Sequence, residues 1–236
     1  MANNFFRFKQ FTVRQENAAM KVGTDGVLLG AWADTTDANT ILDIGTGTGL
    51  IAIMLAQRSQ AKIDAVEIDT PSFYQAKDNI AKCPWSNRIS LFNISFQDFS
   101  KQHRGTYDLI VSNPPYFIKS LKSTETSRNS ARHNEELPQD DLVEGVNQLL
   151  TNEGTFSAIF PYIEGNIFVA KAAAKGLFCS KRVNVTGKQG TGVKRLLLEF
   201  SKRKFPYEES ELTIRNVDDG FTPEYKLLTK DFYLAF

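Results

Sequence analysis

Residues 40–49 read Thr40-Ile41-Leu42-Asp43-Ile44-Gly45-Thr46-Gly47-Thr48-Gly49, an apolar run that ends in glycines at alternate positions. The run Thr40–Ile44 predicts a short buried strand, and Leu50–Gln57, with apolar residues at helical spacing, predicts a helix directly after it. Strand, glycine turn and helix in that order form half of a βαβ unit, and the glycines let the backbone approach a ligand closely. The spacing is G-x-G-x-G, whereas a dinucleotide fingerprint is G-x-G-x-x-G with a helix N-terminus aimed at a pyrophosphate. A ligand without phosphate fits this turn better, and a plain tight βα turn is the alternative. Asp43, Gly45, Gly47 and Gly49 are the candidate binding residues of the turn.

Working outward, Lys62–Ile68 predicts a second strand, followed by a helix from Thr70 with Pro71 at its first position. Ile89–Ile94 and Tyr107–Ser112 are a third and a fourth strand. Beyond them lie a helix over Gln139–Leu150, a strand Thr155–Phe160, a helix Ile163–Lys175, and strands near Arg182–Thr186 and Arg195–Phe200. Alternating strands and helices predict an α/β fold, a mostly parallel Rossmann-like sheet of seven strands with helices on both faces. The last two strands lack a long intervening helix, so an antiparallel pair joined by the Gly187–Gly192 loop closes the sheet. Ahead of the first strand, Phe5–Arg14 alternates like a hairpin, and Asn17–Trp32 reads as an extra helix interrupted by Gly23 and Gly26. The whole of 1–236 is expected to be one domain, with 1–33 as an N-terminal extension of hairpin and helix.

Hydrophobic residues at 42% and charged residues at 23% argue for a folded chain rather than extended disorder. No apolar run is long enough to cross a bilayer, and the first residues carry no export signal, so the expected location is cytoplasmic, without a membrane partner. Cys83 and Cys179 are too few for a disulfide framework. Neither they nor His133 has a companion at ligand spacing, so no metal is expected. Net charge is only +1, but from Cys179 to Lys204 eight basic residues face Glu199 alone. Phe205–Phe236 compensates, with seven acids against Arg215, Lys226 and Lys230.

Two positions at the carboxyl ends of predicted strands carry chemistry. Glu67 ends the second strand, where an acid in such a sheet holds the hydroxyls of a ribose. Asp69, two residues on, suits the start of the next helix better. Asn113-Pro114-Pro115-Tyr116 ends the fourth strand. An aromatic amine or amide nitrogen is a poor nucleophile because its lone pair is delocalised. An Asn113 side-chain oxygen and the Pro114 carbonyl, each accepting one N–H, would free that lone pair to attack an electrophilic methyl group. The prolines stiffen the backbone and Tyr116 offers a stacking face for a base. A diproline that merely stops a strand is the competing explanation.

With these elements in order, the chain resembles class I methyltransferases, which use S-adenosylmethionine and release S-adenosylhomocysteine. Its N-P-P-Y is similar to that of enzymes acting on amide or exocyclic amino nitrogens. Met20–Trp32, the Asp43 turn, Ala65–Glu67, Pro84-Trp85, Ser112–Tyr116 and Thr222–Leu234 resemble the bacterial tRNA1(Val) adenine-N6 methyltransferases along essentially the whole chain. That resemblance implies transfer of a methyl group to N6 of the adenosine at tRNA position 37, just 3′ of the anticodon. It also implies that the segment holding Lys21, Gly23, Thr24 and Asp25 lies beside the cofactor.

The chain departs from the class pattern at the end of the third strand, where many such enzymes have an Asp facing the cofactor's adenine and this sequence has Ser95. Ser95, the Phe96 backbone and ring, or Asp98 three residues on are the alternatives. The long connection after the fourth strand, Phe117–Leu137, contains Lys119, Lys122, Arg128, Arg132 and His133, candidates for phosphate contact. Lys202, Arg203 and Lys204, at the end of the basic stretch, are expected to extend that tRNA-binding surface. The rival activities are a protein-glutamine N5 methyltransferase and a ribosomal RNA guanine-N2 methyltransferase. The first usually carries a helical recognition domain, against only about forty residues ahead of the first strand here. A large DNA methyltransferase would need a recognition domain, and a non-catalytic RNA-binding module would not need an intact Asn113 and Tyr116. No obligate protein partner is indicated.

Overall fold

The computed structural model describes residues 4–16, 21–115 and 137–236. In chain order its elements begin with a hairpin of β1 (Phe5–Arg7) and β2 (Thr12–Arg14) and helix α1 (Thr24–Trp32). The βα units follow as β3 (Thr40–Ile44), α2 (Leu50–Arg58), β4 (Lys62–Glu67), α3 (Thr70–Ala81), β5 (Ile89–Asn93), α4 (Phe96–Gln102) and β6 (Tyr107–Ser112). Then come α5 (Gln139–Leu149), β7 (Leu150–Pro161), α6 (Tyr162–Ala174), β8 (Phe178–Lys188), β9 (Val193–Ser201), β10 (Glu208–Arg215) and α7 (Pro223–Thr229).

The main sheet runs β10-β8-β9-β7-β6-β3-β4-β5. All pairings are parallel except those of β9, which is antiparallel to both β7 and β8. The expected antiparallel closing pair is therefore β8–β9, with β9 inserted between β7 and β8. The described sheet has eight strands rather than seven. The additional one, β10, comes from the acidic segment, and the reason is electrostatic as well as backbone pairing. Its register sets Glu209 against Arg182, with Glu209 Oε1 3.5 Å from Arg182 Nε and accepting from Asn184 Nδ2. The charge compensation visible along the chain is thus a strand pairing in space.

Alternation along each strand sorts the core into two layers. Ile41, Leu109, Val111, Ile159 and Leu197 pack with α1, α2, the hairpin and the C-terminal segment. Leu42, Ile110, Phe156, Phe160 and Leu198 pack with α4, α5 and α6 on the other face. Helix α2 is buried from Leu50 to Ala56 because α1 covers the side the sheet does not. The glycines of α1 make that contact possible. A Cβ on Gly30 would stand 2.8 Å from Met54 Sδ, and one on Gly26 3.1 Å from Leu50 Cδ2. Gly26 therefore lies inside the helix and does not interrupt it, while Gly23 is its N-cap residue.

The N-terminal hairpin is tied to the glycine turn by one side chain. Asn79, buried in α3, accepts from the Arg14 backbone N–H at 2.8 Å and donates to the carbonyls of Arg14 and Thr48 at 2.8 and 2.9 Å. Because a buried polar group left without its partner costs about 1–3 kcal/mol, Asn79→Ala is expected to lower stability by about 2–4 kcal/mol in urea unfolding. A loss below about 0.5 kcal/mol would show that these bonds are replaced by water.

Candidate active site

The carboxyl ends of β3, β4 and β6 meet at the glycine turn. Gly45 and Thr46 donate their backbone N–H groups to the Val66 carbonyl at 2.9 and 3.0 Å, which bends the chain sharply off β3. Gly45, Gly47 and Gly49 have φ of +69°, +57° and +81°, the left-handed region in which a side chain is strained. A Cβ on Gly45 or Gly47 would meet nothing within 4 Å, so both face open space. A Cβ on Gly49 would instead touch Ile80 at 3.4 Å.

Two acids brace this turn from opposite sides. Asp43 is fully buried, and its Oδ2 accepts from Thr46 Oγ1 at 2.6 Å and from the Ala52 N–H at 3.1 Å, while Oδ1 has no hydrogen-bond partner. Burial pushes the Asp43 carboxyl up to about 7, against the opposing effect of its two hydrogen bonds. Glu67, 8% exposed, accepts from the Gly47 N–H at 2.8 Å through Oε2 and from the Asp69 N–H at 2.9 Å through Oε1. Burial raises its pKa as well.

A cleft of about 180 Å³ opens beside the turn, lined chiefly by apolar groups from Ile44, Val66, Ile68, Ile94 and Phe96, with Glu67, Ser95, Asn113 and Pro114 at its polar edge. A second cavity lies on the other side of the turn and is lined by Lys21, Gly23, Thr24, Asp25, Thr46, Thr48 and Arg195. Gly45, Gly47 and Asn113 line both. Asn113 therefore stands where the two spaces meet, at the end of β6, whose last residue Ser112 is buried and donates from Oγ to the Ile44 carbonyl at 3.1 Å.

Most of the residues expected in the site are brought together here: Gly45, Gly47, Glu67, Ser95, Phe96, Asn113, Pro114 and Pro115 around the cleft, and Lys21, Gly23, Thr24 and Asp25 around the neighbouring cavity. Three of the expected groups are placed away from both spaces. Asp43 lines neither space, because its carboxylate is used inside the turn. Gly49 lines neither, because it packs on α3. Lys202, Arg203 and Lys204 lie at the opposite, amino edge of the sheet. Strand β9 runs antiparallel, so Arg195 opposes Pro161 at the carboxyl edge while Ser201 opposes Thr155. Six residues of strand separate the two ends by roughly 20 Å. At that far edge Lys202 Nζ donates to the Leu150 carbonyl at 2.7 Å, Arg203 pairs with Glu153, and Lys204 Nζ lies 4.8 Å from the Phe178 ring centre. Tyr116, Lys119, Lys122, Arg128, Arg132 and His133 lie outside the described residues.

Of the alternatives at the third strand, Ser95 caps α4. It accepts from the Asp98 N–H at 3.0 Å and donates to Asp98 Oδ2 at 2.9 Å, which accounts for Asp98 as a helix-capping acid. Asp69 likewise caps α3 through the Ser72 N–H. Nothing in the sequence separates Arg195 from the rest of the basic stretch. Its Nε donates to Asp25 Oδ2 at 2.8 Å across 170 residues of chain, a pairing with no local signal. Gly145 in α5 was also missed. A Cβ there would stand 2.5 Å from Phe96 Cε1, so the absent side chain makes room for the ring of a residue that lines the cleft.

The family model of the methyltransferase small domain matches residues 19–154. The tRNA1(Val) (adenine(37)-N6)-methyltransferase of Trichodesmium erythraeum is 47% identical over the full length of both chains. That of Photorhabdus laumondii is 45% identical, covering 98% of this chain and 96% of the relative. Among solved structures, a predicted O-methyltransferase from Agrobacterium tumefaciens superposes with a TM-score of 0.67 at 18% identity, covering 88% of this chain and 96% of that one, which supports the fold alone. The chain belongs to the methyltransferase small-domain family and, within it, to the tRNA1(Val) (adenine(37)-N6)-methyltransferases.

Proposed function

We propose that this protein transfers a methyl group from S-adenosylmethionine to N6 of the adenosine at position 37 of a valine tRNA, and that 1–236 forms one methyltransferase domain with 1–33 as its extension. The observation that carries the chemistry is the position of Asn113, an uncharged donor and acceptor at the junction of two cavities that share the glycine turn. The choice of target draws on the relatives' names and on their full-length identity.

The cleft suits S-adenosylmethionine better than a dinucleotide. In a pyrophosphate site the turn's amides are left for the phosphates. Here the Gly47 N–H is already bonded to Glu67 Oε2, and the carboxylate would repel an anion at that point. A diol is the matching partner, because the carboxylate oxygens retain lone pairs for two hydroxyl donors. The apolar lining suits an adenine ring, with the Phe96 ring and the first turn of α4 beside it. When bound, S-adenosylmethionine supplies an electrophilic methyl on a sulfonium. Asn113 Oδ1 and the Pro114 carbonyl would accept the two N–H bonds of the target amine, turning its lone pair out of conjugation and stabilising the positive charge that develops on nitrogen as the sulfonium loses its methyl and becomes a thioether, after which the surplus proton is lost to water. No side chain in this arrangement has to act as a strong base. Tyr116, next in sequence to Pro115, is proposed from the sequence alone to stack on the base.

Incubation of the protein with methyl-labelled S-adenosylmethionine and total RNA from a strain lacking it should yield N6-methyladenosine in a valine tRNA. Label in ribosomal N2-methylguanosine, or in protein glutamine, would replace this reading. Asn113→Ala is expected to lower turnover by about a hundredfold or more while cofactor binding persists. A wild-type rate in that variant would remove Asn113 from the chemistry. Glu67→Ala should weaken S-adenosylmethionine binding by about 1.5–3 kcal/mol in calorimetry. Unchanged affinity would overturn the ribose assignment. Gly145→Ala forces the Phe96 ring, which lines the cleft, to shift, and should weaken the same affinity about tenfold with little effect on the folded fraction at 25 °C. If affinity holds and only stability falls, the glycine serves packing alone.

A further inference from the structure

We infer that the rim built by Lys188, Lys194 and Arg195 around the β8–β9 turn, with Lys21 and Arg215 beside it, is where the RNA phosphate backbone docks. This deepens the reading of the chain as a tRNA methyltransferase and rests on it.

The inference comes from the way the fold divides the basic stretch. Along the chain, residues 181–204 form one stripe of positive charge. In space they form an antiparallel hairpin, so the middle of the stripe reaches the carboxyl edge of the sheet and its two ends lie at the amino edge. At the amino edge the cations are engaged by the fold itself: Lys181 Nζ is 3.5 Å from Glu199 Oε1, and Lys202, Arg203 and Lys204 have the backbone, Glu153 and Phe178 as partners. The carboxyl edge differs. Arg195 lines the same cavity as Asn113 and Lys21, and its guanidinium is oriented by Asp25. Lys194 follows on from the turn and is exposed, with no ion pair among the described residues. Strand pairing sets Arg215 beside Lys188, and the Arg215 guanidinium lies 4.1 Å from the Phe221 ring centre.

Acids are present on this rim too. Asp25 holds Arg195, and Asp219 lies 2.8 Å from Lys188 with Asp218 next to it. They leave the cations in excess, and each bridge is partly exposed and so weak enough to be exchanged for phosphate. The turn itself is open. A Cβ on Gly187, Gly190 or Gly192 would meet nothing within 4 Å, so a bulky polyanion can approach the backbone there. Phosphate contacts at this rim would fix the register of the RNA while the target base reaches Asn113 through the cavity that Arg195 shares with it.

The test is the salt dependence of tRNA binding, because each cation that neutralises a phosphate adds roughly 0.7–0.9 to the log-log slope. The full-length protein is titrated with unmodified tRNA over a range of salt concentrations. The double variant Lys188→Gln/Lys194→Gln is compared with Lys202→Gln/Arg203→Gln, and folding is checked by melting temperature and S-adenosylmethionine affinity. The rim variant should lose about 1.4–1.8 from the slope, while the amino-edge variant keeps the wild-type slope. An unchanged slope in the rim variant, or a loss in the amino-edge variant instead, overturns the assignment and leaves the proposed activity standing. If the wild-type protein bound no tRNA at any salt concentration, the proposed function would fail and take the rim with it. Charge reversal at the exposed position alone, Lys194→Glu, should weaken binding more than Lys194→Gln. Equal effects would show that Lys194 faces no phosphate and would count against the rim.

Discussion

The hydrogen bond from the Gly47 amide to Glu67 Oε2 joins the first βα turn to the end of the neighbouring strand, and the geometry of the site follows from it. It holds a left-handed glycine in place, keeps the Glu67 carboxylate at the wall of the cleft, and removes from the turn the amide that would otherwise attract a phosphate. Asp43 works from beneath. By accepting from Thr46 and from the Ala52 amide it fixes the exit of the chain into α2. Two carboxylates thus shape one turn, one from inside the core and one from the cleft.

This arrangement costs stability. Both acids are held above their ordinary values, chiefly by burial, so the charged forms are disfavoured in the folded chain. For Asp43 the sign is definite: the folded state binds the proton more tightly than the unfolded one. The stabilisation this brings is complete below the ordinary carboxylate value near 3.8 and is lost as pH rises toward about 7. At neutral pH the turn therefore opposes folding, and apolar packing offsets it: α2 buried on all sides, and α1 drawn close to it by Gly26 and Gly30.

What could be read from the chain was what depends on local periodicity. The strand 40–44, its glycine turn, the strand ending at Glu67 and the strand ending at Asn113 all have runs whose pattern survives folding. The segments that escaped are those whose structure is decided at a distance. Helix α4 has only seven residues, and β10 presents an acidic sequence that becomes a strand because β8 supplies basic partners. Asp25 and Arg195 meet only because α1 and β9 begin at the same edge. The spatial division of the basic stretch is hidden in the sequence for a related reason. Counting charge along the chain takes no account of a hairpin, which doubles the stripe back and leaves Lys202–Lys204 at the amino edge. Asn79 and Gly145 left no trace either, since an asparagine or a glycine inside a helix has many possible explanations before its neighbours are known.

Strand direction links these points. In a parallel sheet every strand enters at the amino edge and delivers only its C-terminal residues to the ligand side. Strand β9 is reversed, so it delivers its first residues instead, and with them the turn that precedes it. Had β9 run parallel, Arg195 would begin at the edge remote from Asn113, and a crossover would have to replace the short turn. The reversal therefore brings a compact, positively charged turn beside a site otherwise made of strand ends and helix starts. The Arg195–Asp25 bridge then ties the start of β9 to α1, so the segment Lys21–Asp25, the glycine turn and Arg195 surround one cavity.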